Sequence, residues 1–253
     1  MKIRHLVLPV TLSLVSSAIA QKVQPWSGYF VHDKSRPTPP KIEASSITTT
    51  PAPAGADVIF DGKDASAFTK KWTVKDGILI ATDTGTNKTK KSYGSCQLHL
   101  EWRIPADRKV NGQQGGNSGV FLMGKYEIQI MESHTNITYA DGQAAAMYGQ
   151  YPPLVNASRP HGEWQSYDIT FTAPEYKDGK VVKPATITVF HNGILVHNAQ
   201  PYKGPTTHKR VASYPETHPE KGPLALQWHG DPIEYRNIWI RELGEYNTKT
   251  KEK

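Results

Sequence analysis

Apolar residues alternate with polar ones over short stretches of this chain, and helical spacing is rare. From residue 97 to 104 every second position is apolar, and the residues between are polar or charged. Successive side chains of a strand point to opposite faces, so this stretch predicts a strand with one buried face. Residues 165–173 repeat the pattern, with Tyr167, Ile169 and Phe171 on the side predicted to face inward.

Two dipeptides predict tight hairpins. Asp76-Gly77 and Asn192-Gly193 each lie between two apolar stretches, and such pairs favour two-residue turns between antiparallel strands. About eleven short strands with turn signals and little helix predict a two-sheet antiparallel sandwich. The 20 glycines and 19 prolines suit this all-β class, whereas the alternation alone leaves the topology open.

The stretch 115–133 (GGNSGVFLMGKYEIQIMES) is the strongest candidate for a functional strand. The alternation places Tyr126 on one face and both Glu127 and Gln129 on the other, so we interpret the second face as the floor of a polar site. Glu132 is five residues beyond Glu127, and a single bulge would return it to the same face. Two carboxylates on one face suit glycosidic chemistry, for which a separation of roughly 5 Å is expected. The alternative is an ordinary solvent-facing strand.

Further along the chain, the segment LALQWHGDP (224–232) predicts a strand that runs into a sharp turn. His229 at its end can serve as acid, base or ligand, or can simply hydrogen-bond within the turn. Glu163, in the segment HGEW (161–164), either structures its loop or reaches the site. The sequence contains no phosphate-binding loop, dinucleotide fingerprint or nucleophile elbow, and its histidines show no metal-ligand spacing.

The N-terminal segment of the chain predicts export. Lys2 and Arg4 precede an apolar run, and Ala18-Ile19-Ala20 is a small-x-small cleavage site, so residues 1–20 are predicted to be a signal peptide. Residues 21–54 are rich in proline and threonine and predict a leader and linker, residues 55–243 the catalytic domain, and residues 244–253 a charged tail. We therefore expect a periplasmic or secreted protein. The apolar run is too short to span a bilayer as a helix, and no other apolar stretch approaches the required length.

Charge and cysteine content narrow the function classes. The formal net charge is +7, but the basic residues are scattered and form no stripe with interleaved aromatic residues, which argues against a nucleic-acid partner. The single cysteine, Cys96, excludes an intrachain disulfide and is expected to be a buried residue of a strand. The sequence gives no indication of the oligomeric state.

Several segments in a fixed order resemble the bacterial 3-keto-disaccharide hydrolase family. They are FDGK (60–63), GNSGVFL (116–122), YEIQI (126–130), GEW (162–164), NG (192–193), LQWHGDP (226–232) and YRNI (235–238). The resemblance spans about residues 57–243. It implies a concanavalin-like jelly roll, similar to laminarinase-type glycosidases, and an enzyme acting on a small sugar or glycoside.

The resemblance also implies a mechanism, because a ketone at C3 of a sugar acidifies the proton at C2. Laminarinase-type enzymes carry a central Asp where this chain has Gln129, which favours elimination and hydration over double displacement. Under this hypothesis the catalytic residues are Glu127 or His229 as base, with Glu132 orienting the site or assisting the leaving group. Residues expected to bind substrate are Gln129, Arg103, Asn117, Glu163 and Asp231. A divalent cation at the C3 oxyanion would fit this chemistry, although no ligand spacing demands one.

Two other functions remain open at this level. One is a lectin-like carbohydrate-binding module without catalysis, because the same fold can serve only to bind sugar. The other is a retaining laminarinase-like glycosidase that uses Glu127 and Glu132 as its carboxylate pair.

Overall fold

A computed structural model describes residues 22–44 and 46–244. Strands dominate, and the helical elements recorded are two 3₁₀ turns, Gly112–Gln114 and Ala140–Gly142. The strands are β1 (Asp57–Phe60), β2 (Thr73–Lys75), β3 (Ile78–Ile80), β4 (Asn87–Tyr93), β5 (Cys96–Arg103), β6 (Ser118–Leu122), β7 (Tyr126–Ile130), β8 (Gln165–Thr172), β9 (Glu175–Lys177), β10 (Lys180–Lys183), β11 (Thr186–His191), β12 (Ile194–Pro201), β13 (Gly222–Leu226) and β14 (Glu234–Glu242).

The strands form two main antiparallel sheets and a small hairpin. The larger sheet has the order β12-β11-β8-β5-β14-β3-β2, with β1 also paired to β14. The smaller sheet has the order β4-β13-β6-β7, and β9 pairs with β10. The chain is thus an all-β jelly-roll sandwich of the concanavalin and laminarinase type, as predicted. The signal peptide predicted at residues 1–20 and all but the first residue of the predicted tail lie outside the described residues.

The core lies between the two sheets. The larger sheet contributes alternate residues of β5, β8 and β14, and the smaller sheet contributes alternate residues of β6, β7 and β13. Tyr126, Ile128 and Ile130 of β7 are fully buried in this core, as their spacing predicts. The other face of β7 is therefore turned away from the core, which exposes Glu127 and Gln129 to a different environment.

Both predicted hairpins are confirmed. Asp76 and Gly77 have φ values of 51° and 77°, and Asn192 and Gly193 have values of 53° and 78°. Two successive residues with positive φ give the twist that a two-residue hairpin requires. Cys96 is buried in β5, also as expected, and burial raises its pKa to about 12. A thiol with so high a pKa is a packing residue rather than a nucleophile.

The outer face of the larger sheet carries a buried polar cluster beneath the linker that precedes β1. Glu101 accepts hydrogen bonds from Arg236 Nε (2.6 Å) and Asn237 Nδ2 (3.0 Å), and its carboxylate lies 3.6 Å from His99 Nε2. The Thr50 carbonyl accepts hydrogen bonds from Trp239 Nε1 and Asn237 Nδ2. The linker therefore covers a face that the alternation of β5 would leave to solvent.

The described residues contain no helix with the length and apolar character that a membrane crossing requires.

Candidate active site

A polar cleft of about 520 Å³ lies on the face of the smaller sheet that points away from the core. Its floor is formed by β6 and β7, and its walls come from long loops that the alternation pattern does not describe. The lining residues are Gln113, Gln114, Asn117, Phe121, Glu127, Gln129, Tyr139, Tyr148, Thr206, His208, Gln227 and His229. The cleft thus collects amide, phenol, imidazole and carboxyl groups at one place.

Glu127 is the one carboxylate among these lining residues. Its side chain is only 4 % exposed, and no basic side chain within 4 Å forms a salt bridge with it among the described residues. Burial raises the pKa of Glu127 to about 8, because a charged carboxylate loses its hydration in this position. A carboxyl group with that pKa exchanges its proton near neutral pH, as a general acid or base must.

The strand next to Glu127 leaves space for this carboxyl group. Gly119 on β6 pairs with Gln129 on β7, and a Cβ atom at Gly119 would overlap the Glu127 carboxylate. A glycine is therefore required wherever the carboxyl group lies against the backbone so closely. The Gln129 amide is best satisfied when its nitrogen faces Glu127 Oε1 (3.2 Å) and the Ser118 carbonyl (2.9 Å). Gln129 then donates to the carboxylate when that group is ionised.

Asp231 supports the cleft from behind. Its Oδ2 accepts a hydrogen bond from the backbone N–H of Asn117 (3.1 Å), and its Oδ1 accepts from Arg108 Nη2 (2.6 Å). Asn117 in turn donates from Nδ2 to the Gln113 carbonyl (3.0 Å). Asp231 therefore ties the turn after β13 to the start of β6, and it is Asn117 rather than Asp231 that faces the cleft.

The far wall of the cleft is aromatic and carries hydroxyl groups. Tyr139 Oη lies 3.1 Å from Tyr148 Oη, which is 3.4 Å from His208 Nδ1. Burial raises the pKa values of both tyrosines, so their hydroxyls remain protonated donors. Burial, Lys209 and His229 lower the pKa of His208, so its imidazole is neutral near pH 7. His229 is exposed at the mouth of the same cleft.

Besides Asp231, three other residues predicted at the site lie outside the cleft lining. The Glu132 carboxylate accepts hydrogen bonds from the backbone N–H groups of residues 134, 135 and 136 at 2.9, 3.1 and 2.7 Å, so it closes a turn after β7. Arg103 pairs with Glu234 on the larger sheet, and Glu163 pairs with Arg159. None of them lines the cleft. The structure brings together Glu127, Gln129, Asn117 and His229 and separates them from these three.

Glu132 departs from expectation for a backbone reason. The proposed bulge would have kept β7 extended past Glu132, but β7 ends at Ile130 and the chain turns at once. Three N–H groups at that turn need an acceptor, and the Glu132 carboxylate supplies it. The pair of carboxylates that a retaining mechanism needs is therefore not assembled in this cleft.

The cleft residues that could bind a divalent cation are Glu127, His208 and His229. In residues 22–44 and 46–244, however, no group of three or more His, Cys, Asp or Glu side chains is close enough together to hold a metal ion.

Sequence reasoning missed the wall residues, of which Tyr139, Tyr148 and His208 are the main ones. They come from loops that lack any period, so no alternation signals their direction. One signal was available, because a connection as long as 134–163 inside a compact domain is usually functional. It identified the loop but not the two tyrosines within it.

Comparisons with known proteins show the family and the fold of this chain. The model of the 3-keto-alpha-glucoside-1,2-lyase-like domain matches residues 55–241. A 3-keto-disaccharide hydrolase of Bacteroides thetaiotaomicron is 21% identical, over 80% of this chain and 84% of that protein. A Parabacteroides distasonis protein provisionally described as a glycosyl hydrolase is 35% identical, with a TM-score of 0.74, over 93% of this chain and 100% of its own. A second such structure, from the same species, is 21% identical, with a TM-score of 0.55, over 75% and 94%, and shows the fold alone.

Proposed function

The chain belongs to the 3-keto-alpha-glucoside-1,2-lyase-like family, and on that premise we propose that it cleaves 3-keto-glycosides by elimination followed by hydration. The substrate is a small sugar whose ring carries a ketone at C3 and a glycosidic oxygen at C1. The name of the Bacteroides relative supports a keto-disaccharide as the substrate class.

The elimination begins at C2. A base removes the C2 proton, and the electron pair of the C–H bond forms an enolate whose negative charge rests on the C3 oxygen. When the C3 carbonyl reforms, the electron pair moves to a C1–C2 double bond and the bond from C1 to the glycosidic oxygen breaks. An acid protonates the departing oxygen. Water then adds its hydroxyl to C1 and its proton to C2, so the net reaction is hydrolysis.

Each step has a group of suitable chemistry in the cleft. Glu127 is the base, because its buried carboxylate has a pKa of about 8 and is a stronger base than an exposed one. The hydroxyls of Tyr139 and Tyr148 stay protonated and donate to the C3 oxyanion, as neutral donors in an oxyanion hole do. His229 at the mouth protonates the leaving oxygen.

A single observation carries this proposal: a buried carboxyl group without a cationic partner lies over Gly119 on the floor of a polar cleft. An isolated charge in such a place costs stability, so structural reasons alone do not explain it. Glu132 is occupied by its turn, which leaves the cleft one carboxylate. A one-carboxylate site suits proton abstraction at C2 better than double displacement.

The test offers the enzyme a glucoside and its 3-keto form and follows release of the aglycone. Release from the keto form alone is expected. Release from the plain glucoside would favour a retaining glycosidase, and release from neither, with retained sugar binding, would favour a lectin-like module. Glu127→Gln and His229→Ala are expected to lose activity on the keto form, and the assignment fails if both retain the wild-type rate.

Elimination can be separated from direct hydrolysis by isotope incorporation. In D₂O the hydration step places one deuterium at C2 of the released keto sugar, whereas direct displacement at C1 leaves C2 unlabelled. The control incubates the free 3-keto sugar in D₂O without enzyme, because a ketone exchanges adjacent protons slowly by itself. Enzyme-dependent product without deuterium at C2 would contradict elimination.

We also propose that the protein acts in the periplasm or after secretion. The support is the pattern of residues 1–20, with its basic start, apolar run and small residues before Gln21. The test is N-terminal sequencing of protein recovered from the producing cells: a mature chain starting near Gln21 is expected, and an intact Met1 would contradict it.

A further inference from the structure

The leader, defined here as residues 22–36, lies outside the family match at 55–241 but contacts the loop that walls the cleft. Gln24 Nε2 donates to the Gly149 carbonyl at 2.5 Å, and Arg36 Nη1 donates to the Gln150 carbonyl at 3.2 Å. Both leader side chains are buried. This segment is therefore packed against residues 139–151, and its polar groups are matched to their backbone.

A buried carboxylate strengthens the attachment. Asp141 is fully buried, and its Oδ2 accepts a hydrogen bond from the backbone N–H of His32 (3.1 Å) and lies 3.9 Å from Arg36 Nη1. The leader thus supplies both a backbone donor and the nearest cation to this carboxylate. The loop conformation therefore depends on contacts with the leader.

The loop is in turn joined to the strand that carries the candidate base. Ala145 N donates to the Gln129 carbonyl (2.9 Å), and Gln129 N donates to the Ala146 carbonyl (3.0 Å). Tyr148 N donates to the Glu127 carbonyl (3.4 Å). The leader, the loop and β7 therefore form one connected unit beside the cleft.

His32 is the leader residue that lies nearest the cleft wall. Its ring stacks on Tyr139 at a centroid distance of 4.1 Å and an interplanar angle of 17°, and lies 4.9 Å from Tyr148. Burial, His208 and Lys209 lower its pKa to about 4, so the ring is neutral at ordinary pH. Within the described part of the chain neither buried ring nitrogen has a hydrogen-bond partner, and the contact that His32 makes here is its stack on the Tyr139 ring.

A side cavity of about 520 Å³ adjoins this wall. It is lined by Lys34 of the leader and by Gly112, Gln113, Ile137, Thr138 and Tyr139. Gln113 and Tyr139 line the main cleft as well, so the two spaces are neighbours that share these residues as a border. The side chain of Ile137 is 84 % exposed and offers an apolar surface at the edge of this cavity.

We propose that the leader completes a subsite for the leaving group of the substrate, with the side cavity as its location. This inference rests on the proposed function. The occupant is the second sugar of a 3-keto-disaccharide: the Lys34 ammonium donates to its hydroxyls, and Ile137 covers the apolar face of its ring. Tyr139, held by His32, separates this sugar from the keto sugar in the main cleft.

The test compares two substrates that share the keto sugar and differ in the leaving group. Methyl 3-keto-glucoside places only a methyl group beyond the glycosidic oxygen, whereas a 3-keto-disaccharide fills the side cavity. In Lys34→Ala combined with Ile137→Ser, the ratio of kcat/KM for the disaccharide to that for the methyl glycoside is expected to fall about tenfold, as lost binding of a few contacts predicts. Lys75→Ala and Ile42→Ser are matched controls at exposed positions away from the cavity.

His32 needs a pair of variants because it acts through Tyr139. His32→Ala removes the stack and is expected to raise KM for the disaccharide, whereas His32→Phe keeps an aromatic ring on Tyr139 and is expected to restore it. A change that Phe does not rescue, or no change in Ala, overturns the positioning role.

The outcomes are distinguishable. An unchanged substrate ratio in the double variant overturns the subsite while leaving the proposed function intact. If the wild-type protein releases product from neither keto substrate, the proposed function fails and this inference fails with it.

Discussion

Two glutamates, equally buried on opposite sides of the sandwich, have opposite acid–base properties. Glu101 on the larger sheet is 1 % exposed and Glu127 on the smaller sheet is 4 % exposed. Burial acts to raise the pKa of Glu101, but the bonds from His99, Asn237 and Arg236 outweigh it and bring the pKa to about 2. For Glu127 burial acts without such partners, and the pKa is about 8.

The partners of Glu101 outweigh the effect of burial on its pKa, whereas Glu127 has no cationic partner to do so. Glu101 remains ionised at every ordinary pH and holds β5 to β14 through Arg236. Glu127 keeps a proton that it can release near neutral pH. Burial of this carboxyl group lowers the stability of the folded protein when the group is ionised. Structural ion-pair networks and active sites both shift pKa values, so the direction of the shift and the partners must be considered together.

The largest expected effect is on catalysis when Glu127 is replaced. Glu127→Gln keeps the shape of the side chain but removes the base, and kcat on a 3-keto-glycoside is expected to fall by about 1000-fold or more. Aglycone release measures it, with Gln97→Glu, a change on the opposite sheet, as a fold control. A loss below tenfold would mean that another group removes the C2 proton.

The same variant is expected to be more stable than the wild-type protein at high pH. The pKa of Glu127 is raised in the folded state, so the folded protein binds more protons than the unfolded chain between about pH 4.5 and 8, and stability falls as pH rises through that window. Glu127→Gln is therefore expected to be more stable than wild type at pH 8, by a few kcal/mol at about 1.4 kcal/mol per pKa unit, and close to wild type at pH 4. Urea unfolding at both pH values would show whether the gain depends on pH, and a gain of equal size at pH 4 would contradict it.

Removal of Glu101 should harm stability and leave the chemistry alone. Glu101→Ala leaves the buried His99 ring and the half-buried Arg236 guanidinium without their carboxylate and is expected to cost about 2 kcal/mol, since a buried polar group that loses its partner retains the cost of its desolvation. Its folded pKa of about 2 means that its contribution is present above the unfolded value and is lost as pH falls toward 2. Denaturant unfolding measures the loss, and a selective fall in kcat of the folded variant would break the distinction between the two glutamates.

A methyl group at Gly119 is expected to displace the Glu127 carboxyl group and so to lower the rate. Gly119→Ala places a Cβ where the Glu127 carboxylate lies, so that group must move by the order of 1 Å, and kcat is expected to fall by about 100-fold. The overlap extends to Cγ of this buried side chain, so a loss of stability of about 1–3 kcal/mol is expected as well. A wild-type rate would show that the carboxyl group can act from a different place.

The pH profile of the wild-type enzyme gives a smaller effect. If Glu127 is the base, about one tenth of it is ionised one unit below its pKa, so kcat/KM should rise about tenfold from pH 7 toward a plateau above pH 8. Spontaneous decay of the keto substrate is subtracted at each pH. A profile that is flat from pH 6 to 9 would assign proton abstraction to a group with a lower pKa.

The smallest effect is expected at a surface ion pair. Glu163→Gln removes the partner of Arg159, and because this carboxylate is 43 % exposed the expected change is within about 0.5 kcal/mol. Activity should remain at the wild-type level, as the placement of Glu163 outside the cleft implies. A large fall in kcat would return Glu163 to the site that the sequence suggested for it.

The alternation of apolar and polar residues predicted several of the strands and failed for others. It predicted β5, β7 and β8, because one face of each strand is apolar. The two hairpin turns were predicted by their Asp-Gly and Asn-Gly pairs. The alternation missed β4, whose inward residues include Asn87 and Thr89 and whose lysines suggest a solvated loop. On β5 it assigned His99 and Glu101 to a solvent face, since no local pattern shows that the linker at Thr50 lies over them.

The site was predictable where it lies on a strand and unpredictable where it lies on loops. Glu127 and Gln129 follow from a period of two, and His229 from a strand end. Tyr139, Tyr148 and His208 reach the cleft through backbone contacts with residues distant in sequence, such as the bond from Tyr148 to Glu127. Such contacts depend on the assembled fold, which explains why Glu132 and Arg103 seemed equally suitable from sequence alone.

The last strand among the described residues is not at the edge of its sheet. β14 lies between β5 and β3 and also pairs with β1, so the middle of the larger sheet is completed by residues 234–242, which follow all the other described strands in sequence. Folding intermediates that form earlier must hold an open gap with unpaired backbone on both sides, and pairings so distant in sequence form slowly. A chain cut before Glu234 would lose the centre of the sheet rather than its margin, and would be a substrate for proteases and aggregation instead of a slightly weakened enzyme.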